Sequence, residues 1–215
     1  MGLSEYINIV VSVVSIAIAT VALIQTHRQI ALSNKQQLFE RRMERYIEIN
    51  TLLRLIKDNI IYLKDDSSFY HTNDLIFAWL TNCSELADMG AALADPLQSD
   101  KQKQLLTIHE RLKKSAVEIK MIFSKDLGKT VGNFVDVYAD LLKEMYQMQV
   151  FISKSEENRE KFNRVPTLEE YEKSCKDMAN GLGLFKNRDR ILELYDMIEK
   201  RNYLGEMEEK LRLVR

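Results

Sequence analysis

An uncharged run of 21 residues near the N-terminus constrains this chain most. Residues 6–26 read YINIVVSVVSIAIATVALIQT and contain no Asp, Glu, Lys or Arg. As a helix this run is roughly 30 Å long, which is the thickness of the hydrocarbon core of a bilayer. The sequence therefore predicts one transmembrane helix over residues 6–26.

A cleaved signal peptide fits this run poorly. No Lys or Arg precedes it, and its apolar stretch is longer than the hydrophobic region of a signal peptide. Ala17-Ile18-Ala19 resembles a cleavage site, but cleavage after Ala19 would leave an apolar stub on the mature chain. Tyr6 also stands where a myristoylation motif requires Ser or Thr. We therefore expect an uncleaved anchor.

Basic residues lie on one side of this segment only. All 31 Lys and Arg residues follow it, whereas residues 1–5 carry a single charged side chain, Glu5. Five basic residues lie within about twenty positions of its C-terminal end, namely Arg28, Lys35, Arg41, Arg42 and Arg45. The positive-inside rule therefore predicts an extracytoplasmic tip at residues 1–5 and a cytoplasmic C-terminus.

A stripe of small and polar residues runs along the predicted membrane helix. It follows a 4-3-4-3-4 spacing and consists of Asn8, Ser12, Ser15, Ala19, Ala22 and Thr26, with Glu5 continuing it at the N-terminal end. The period of about 3.5 residues keeps one face toward neighbours in a helical bundle. A polar face in lipid is unfavourable unless it meets protein or water. A chain with one span can cover that face only with other chains, so the stripe predicts a homo-oligomer.

The stripe has two interpretations, which the sequence leaves open. In the first it is a packing seam, where small residues let helix backbones approach and Ser hydroxyls bond to the carbonyl four residues earlier. In the second it lines a pore in a ring of four or more helices, with Asn8 near the outer end. A ring of Glu5 carboxylates at the outer mouth would then favour cations.

The rest of the chain has helical periodicity. No Gly or Pro interrupts it between Gly2 and Gly90, so residues 27–64 are predicted to continue the membrane helix as a stalk. Residues 65–215 are predicted to form a cytoplasmic helical domain. Its helices are expected at about 73–94, 99–122, 129–151 with an extension toward 161, 167–179, 187–201 and 205–214. The predicted fold class is all-α, with a helical bundle after one transmembrane helix.

Local signals predict details of these helices. Thr167 and Glu170 have the spacing of a capping box at the start of a helix. The predicted buried face of the stalk includes Ile49 or Asn50. That of the helix at 99–122 comprises Leu105, Leu106, Ile108, Leu112, Val117, Ile119 and Phe123.

Composition argues against several classes of function. With 31 basic and 32 acidic residues, the surface as a whole is not that of a nucleic-acid-binding protein. The segment Asp126–Thr130 resembles the end of a phosphate-binding P-loop, but Phe123 stands where that loop requires its first Gly.

Metal and catalytic signatures are also missing from the sequence. The residues His27, His71, His109, Cys83 and Cys175 have no metal-ligand spacing. We therefore predict no cofactor and no metal. An enzyme is the least supported class of function.

One short segment could bind a ligand. Phe185, Lys186, Arg188 and Arg190 follow the glycines 181 and 183, which places three cations beside an aromatic ring. This combination suits an anion, a nucleotide or single-stranded nucleic acid stacked on Phe185. The alternative is a capped helix start with one core Phe.

The membrane segment is followed by Asn34-Lys35-Gln36-Gln37-Leu38-Phe39-Glu40-Arg41-Arg42 and Tyr46. Over residues 6–60 the chain resembles bacterial proteins with one N-terminal span and a helical cytoplasmic domain. Some single-span proteins of this general plan are similar to membrane effectors of anti-phage defence operons, including the oligomeric channel effector of the Hailong type. That resemblance implies an inner-membrane channel held shut by an oligonucleotide on its cytoplasmic domain.

Together these features predict a homo-oligomeric inner-membrane effector. Its spans form a bundle in the lipid, expected to be an ion channel gated by a nucleotide, an oligonucleotide or a partner protein held by the cytoplasmic helices. The alternative is a membrane-tethered helical module that binds a partner protein and forms no pore.

Overall fold

The computed structural model describes residues 2–64, 99–162 and 166–212. Every regular element in these ranges is an α-helix, which confirms the all-α prediction. The helices are α1 (Leu3–Lys64), α2 (Ser99–Ile122), α3 (Lys125–Phe162), α4 (Leu168–Leu182), α5 (Leu184–Lys200) and α6 (Tyr203–Leu211). The helix predicted at 73–94 lies outside the described residues.

The ends of the helices follow local sequence signals closely. α2 has the predicted bounds, and α3 includes both the predicted helix at 129–151 and its extension. The capping box before α4 is confirmed. Thr167 Oγ1 accepts a hydrogen bond from the Glu170 amide at 3.2 Å, and the Glu170 carboxylate accepts one from the Thr167 amide at 3.1 Å. Gly183, at φ 84°, then ends α4 and begins α5.

Replacing Thr167 with Ala should lower the free energy of unfolding by about 1 kcal/mol, because two amides at the start of α4 lose their capping arrangement. Urea unfolding of the full chain in detergent, followed by circular dichroism, measures this loss. Ser174→Ala is the matched control, since Ser174 is exposed within α4 and its hydroxyl donates to the Glu170 carbonyl oxygen of the same helix. An equal loss in both variants would contradict the capping role.

The chain divides into two compact units, Met1–Met43 and Glu44–Arg215. In the first unit, every described side chain between Ile7 and Leu38 is exposed. This part of α1 is long and apolar enough to cross a membrane, and none of its apolar stretch is buried. In a soluble protein such a helix would bury its apolar side chains against a core.

In the second unit, the C-terminal part of α1 joins a helical core. Its buried side chains include Ile49, Leu52, Ile56 and Leu63, whereas Asn50 is exposed. The core is centred on α3, which contributes Val131, Phe134, Val135, Tyr138, Leu141, Leu142, Met145, Met148 and Ile152. Helices α2, α4, α5 and α6 add further buried side chains.

The close approach of α2 to α3 depends on glycines of α3. A Cβ atom at Gly128 would lie 3.0 Å from the Ile119 carbonyl oxygen, and one at Gly132 would lie 2.8 Å from that of Ala116. The two backbones are therefore nearly in contact at these positions, and Ala116 is buried.

This approach corrects part of the predicted apolar face of α2. Leu106 and Val117 were expected in the core, but they are 55% and 51% exposed. The close approach to α3 is made by the backbone of Ala116 opposite Gly132, whereas the buried Ser115 hydroxyl bonds to Arg45 and Glu48 of α1. Leu105, Ile108, Leu112, Ile119 and Phe123 are buried as predicted.

Candidate functional site

The small-residue stripe of α1 lies on one exposed face of the first unit. At 100° per residue, the positions from Asn8 to Thr26 that form the stripe fall within an arc of about 80°. The side chains of Asn8, Ser12, Ser15, Ala19, Ala22 and Thr26 are all exposed. Glu5 lies within α1, but its side chain is outside the described part of the structure.

Two stripe hydroxyls are satisfied within the helix. Ser12 Oγ donates to the Asn8 carbonyl oxygen at 2.8 Å, and Thr26 Oγ1 donates to that of Ala22 at 2.9 Å. Thr20, which is off the stripe, makes the same bond to Ile16 at 2.8 Å. These bonds lower the cost of placing the hydroxyls in lipid. They are the local geometry expected of a packing seam, and they also leave the hydroxyl oxygens able to accept from water in a pore.

Arg45, one of the basic residues that follow the span, lies inside the second unit. Its side chain is 11% exposed and forms ion pairs with Glu44 and Glu48, both at 2.6 Å, and with Glu118 at 3.6 Å. It also donates to the Ser115 hydroxyl. Arg45 therefore joins α1 to α2, a contact that its position beside Glu44 in the sequence did not reveal.

The predicted ligand segment around Phe185 belongs to the first turns of α5. The Arg188 guanidinium lies 5.3 Å from the centroid of the Phe185 ring and pairs with Asp189 at 2.8 Å. Arg188 is buried, whereas Lys186 and Arg190 are exposed on another face of the helix, where Arg190 pairs with Glu193. The structure thus joins Phe185 to Arg188 and does not bring all four residues to one surface.

A polar cluster that the sequence analysis missed lies where α2, α3 and α5 meet. We define it as His109 and Lys113 of α2, Asp136, Asp140 and Glu144 of α3, and Asn187 of α5. Lys113 Nζ lies 2.8 Å from Asp136 Oδ1 and 2.7 Å from Asp140 Oδ1, and His109 Nε2 lies 4.0 Å from Asp140 Oδ1. Asn187 Nδ2 donates to Glu144 Oε1 at 2.6 Å.

Burial shifts the pKa values of two members of this polar cluster, Glu144 and His109. It raises the pKa of Glu144 to about 7, even though the hydrogen bond from Asn187 and the charges of Lys143 and Lys113 act the other way. Burial also lowers the pKa of His109, and the positive charge of Lys113 lowers it further. Glu144 Oε2 and His109 Nε2 are buried and have no hydrogen-bond partner within the described residues.

The spacing of the polar cluster is visible in the sequence once the fold is known. Asp136, Asp140 and Glu144 recur every four residues on α3, and His109 and Lys113 do so on α2. Such spacing places each set on one face, but periodicity cannot tell which faces meet. Within the described ranges, no group of three His, Cys, Asp or Glu side chains could hold a metal ion.

A groove of about 460 Å³ lies on another side of the second unit. It is formed by α2, α3 and α4 and is lined by Gln102, Tyr146, Gln147, Val150, Lys154, Met178 and Leu182. Its walls are mainly apolar, with amides and one cation at the edges. A groove of this kind can accept an apolar side chain or a short helix.

Comparison with protein-family models, curated proteins and solved structures finds no match for this chain.

Proposed function

We propose that this chain is a homo-oligomeric, single-span protein of the inner membrane whose spans pack through the small-residue stripe around a pore. The N-terminus lies outside, and the helical unit that begins at Glu44 lies in the cytoplasm, where it sets the state of the pore in response to a ligand or a partner protein. One observation carries the proposal. In the exposed apolar part of α1, most of the small and polar side chains lie on one face of the helix.

The energetics of lipid exposure support this arrangement. Ile, Val and Leu side chains on the other faces of α1 are 49–74% exposed between Ile7 and Ile24 and are suited to acyl chains. The stripe has little apolar surface to offer lipid, and Asn8 brings a carboxamide that lipid cannot solvate. Small residues at a helix–helix interface let backbones approach and gain dispersion energy, so copies of α1 are the natural partners of the stripe.

Replacing Ser15 with Leu should disrupt the assembly, because a large side chain in the middle of the stripe prevents close packing of the helices. We expect the wild-type chain in detergent or nanodiscs to be an oligomer by native mass spectrometry, and Ser15→Leu to shift it to smaller species. Val14→Leu is the matched control, since Val14 lies next to Ser15 on a lipid-facing side.

A measurement of ion flux distinguishes the two interpretations of the stripe, a pore and a packing seam. Liposomes that contain the wild-type chain should conduct cations across their membrane, as measured with a fluorescent cation indicator. Ser15→Leu should abolish that flux. An oligomer without flux would establish the seam and overturn the pore. A wild-type chain that is monomeric in nanodiscs would overturn the oligomer itself.

The second candidate function is a membrane-tethered module that binds a partner protein. The observation that favours it is the apolar groove formed by Tyr146, Val150, Met178 and Leu182. Such a module would be monomeric and non-conducting, so the same mass spectrometry and flux measurements distinguish it from the channel.

A further inference from the structure

Glu144 joins α3 to the turn between α4 and α5. A Cβ atom at Gly183, in that turn, would lie 3.6 Å from Glu144 Oε1. The same oxygen accepts the 2.6 Å hydrogen bond from Asn187, in the first turn of α5. Gly183 is the N-cap residue of α5 and has no side chain with which to cap the helix. The first turn of α5 also carries no acidic residue. Glu144 thus supplies from another helix the carboxyl group that the start of α5 lacks.

The environment of this carboxyl group stabilises its neutral form relative to its ionised form. One oxygen is bonded, but the other is buried without a hydrogen-bond partner in the described part of the chain. A negative charge on such an oxygen loses solvation that nothing replaces, whereas the neutral acid loses much less. The positive end of α5 and the bond from Asn187 favour the charge, but the burial opposes it.

We propose that Glu144 is a proton-dependent latch: its neutral form holds the α4–α5 turn against α3, and its ionised form loosens that contact. The latch does not depend on whether the chain forms a pore. It would give the cytoplasmic unit a conformational response to pH near neutrality.

The direction of the pH response follows from linkage. Burial raises the pKa of Glu144 from 4.5 to about 7 in the closed structure. When the turn opens, the carboxyl group returns to water and ionises near its usual pKa. The closed form is therefore favoured most below pH 4.5, and this advantage is lost as pH rises to about 7.

Other charged groups face the latch from the neighbouring helices. Asp140 raises the pKa of Glu144, while Lys143 on α3 and Lys113 on α2 lower it. His109, which shares Asp140 and Lys113 with Glu144, has the opposite linkage. Because burial lowers the pKa of His109, its contribution is complete above about pH 6.5 and is lost as pH falls below that value.

Hydrogen exchange of the full chain in detergent tests the latch. After correction for intrinsic exchange rates, amides in the first turns of α5 should open about three- to tenfold more often at pH 8 than at pH 6. The upper value corresponds to a pKa shift from 4.5 to about 7 that is fully expressed in opening. The lower value allows for partial exposure of Glu144 and for the opposing linkage of His109.

Variants assign this response to Glu144. Glu144→Gln keeps an acceptor for Asn187 and cannot ionise, so it should show less than a twofold change between the two pH values. Glu144→Met is a second non-ionisable variant, for use if Gln disturbs folding. Glu193→Gln, on the exposed side of α5, should respond like the wild type, and His109→Gln should enlarge the response. A wild-type chain whose α5 amides exchange equally at both pH values, or a Glu144→Gln chain that keeps the response, would overturn the latch.

Discussion

Replacing Arg45 with Met should lower the free energy of unfolding of the second unit by about 3 kcal/mol. Arg45 is nearly buried between Glu48 and Glu118, and it also donates to Ser115. Met keeps most of the length and apolar stem of the side chain but removes the charge. Glu48, whose side chain is 16% exposed, would then lose its ion pair with Arg45, and the cost of keeping that poorly solvated charge is the reason for the expected loss.

A second substitution tests this explanation. Adding Glu48→Gln to Arg45→Met should recover a large part of the lost stability, because it removes the charge of Glu48, the less exposed of these two ion-pair partners of Arg45. Glu44→Gln is the control: Glu44 also pairs with Arg45, but its side chain is 69% exposed, so its removal should cost less than about 0.5 kcal/mol. Urea unfolding of the full chain measures all three. An Arg45→Met chain as stable as the wild type would contradict the role assigned to the charge.

Two Gly→Ala substitutions should change stability in opposite directions. Gly132→Ala should destabilise the chain by about 1–3 kcal/mol, because the added Cβ would lie 2.8 Å from the Ala116 carbonyl oxygen and within 3.0 Å of the Lys120 side chain. Lys120 is flexible and can move, but the α2 backbone cannot move without separating the two helices.

Gly181→Ala is the matched substitution in α4. No atom lies within 4 Å of the Cβ position at Gly181, so Ala should stabilise the helix by about 0.5–1 kcal/mol through its better helix propensity. Thermal unfolding of the two variants beside the wild type gives the sign directly. A stabilised Gly132→Ala chain would show that α2 and α3 are not held at the distance described.

Features set by neighbours in the sequence were predictable. The capping box of Thr167 and Glu170 involves four consecutive residues, and both of its bonds are present. The bounds of α2 and the helical class of the whole chain follow in the same way from periodicity and from the scarcity of Gly and Pro.

Features set by residues distant in sequence were not predictable. Leu106 and Val117 have the apolar character of core residues but are exposed, whereas Ala116 is buried, with its backbone opposite Gly132 of α3. Glu144 looks like an ordinary surface acid in the sequence, and only the position of Gly183 and Asn187 beside it gives it an unusual environment. The stripe of α1 is predictable because its spacing is local.

The C-terminal part of α1 is synthesised before the helices against which it packs. Ile49, Ile56 and Leu63 belong to the same core as Phe134 and Ile191. Ile191 is translated 128 residues after Leu63, which takes roughly 6–26 s at about 5–20 residues per second. During this time the apolar face of the C-terminal part of α1 has left the ribosome but has no core to pack against. We therefore expect nascent chains to be prone to aggregation until α3 and α5 have been made.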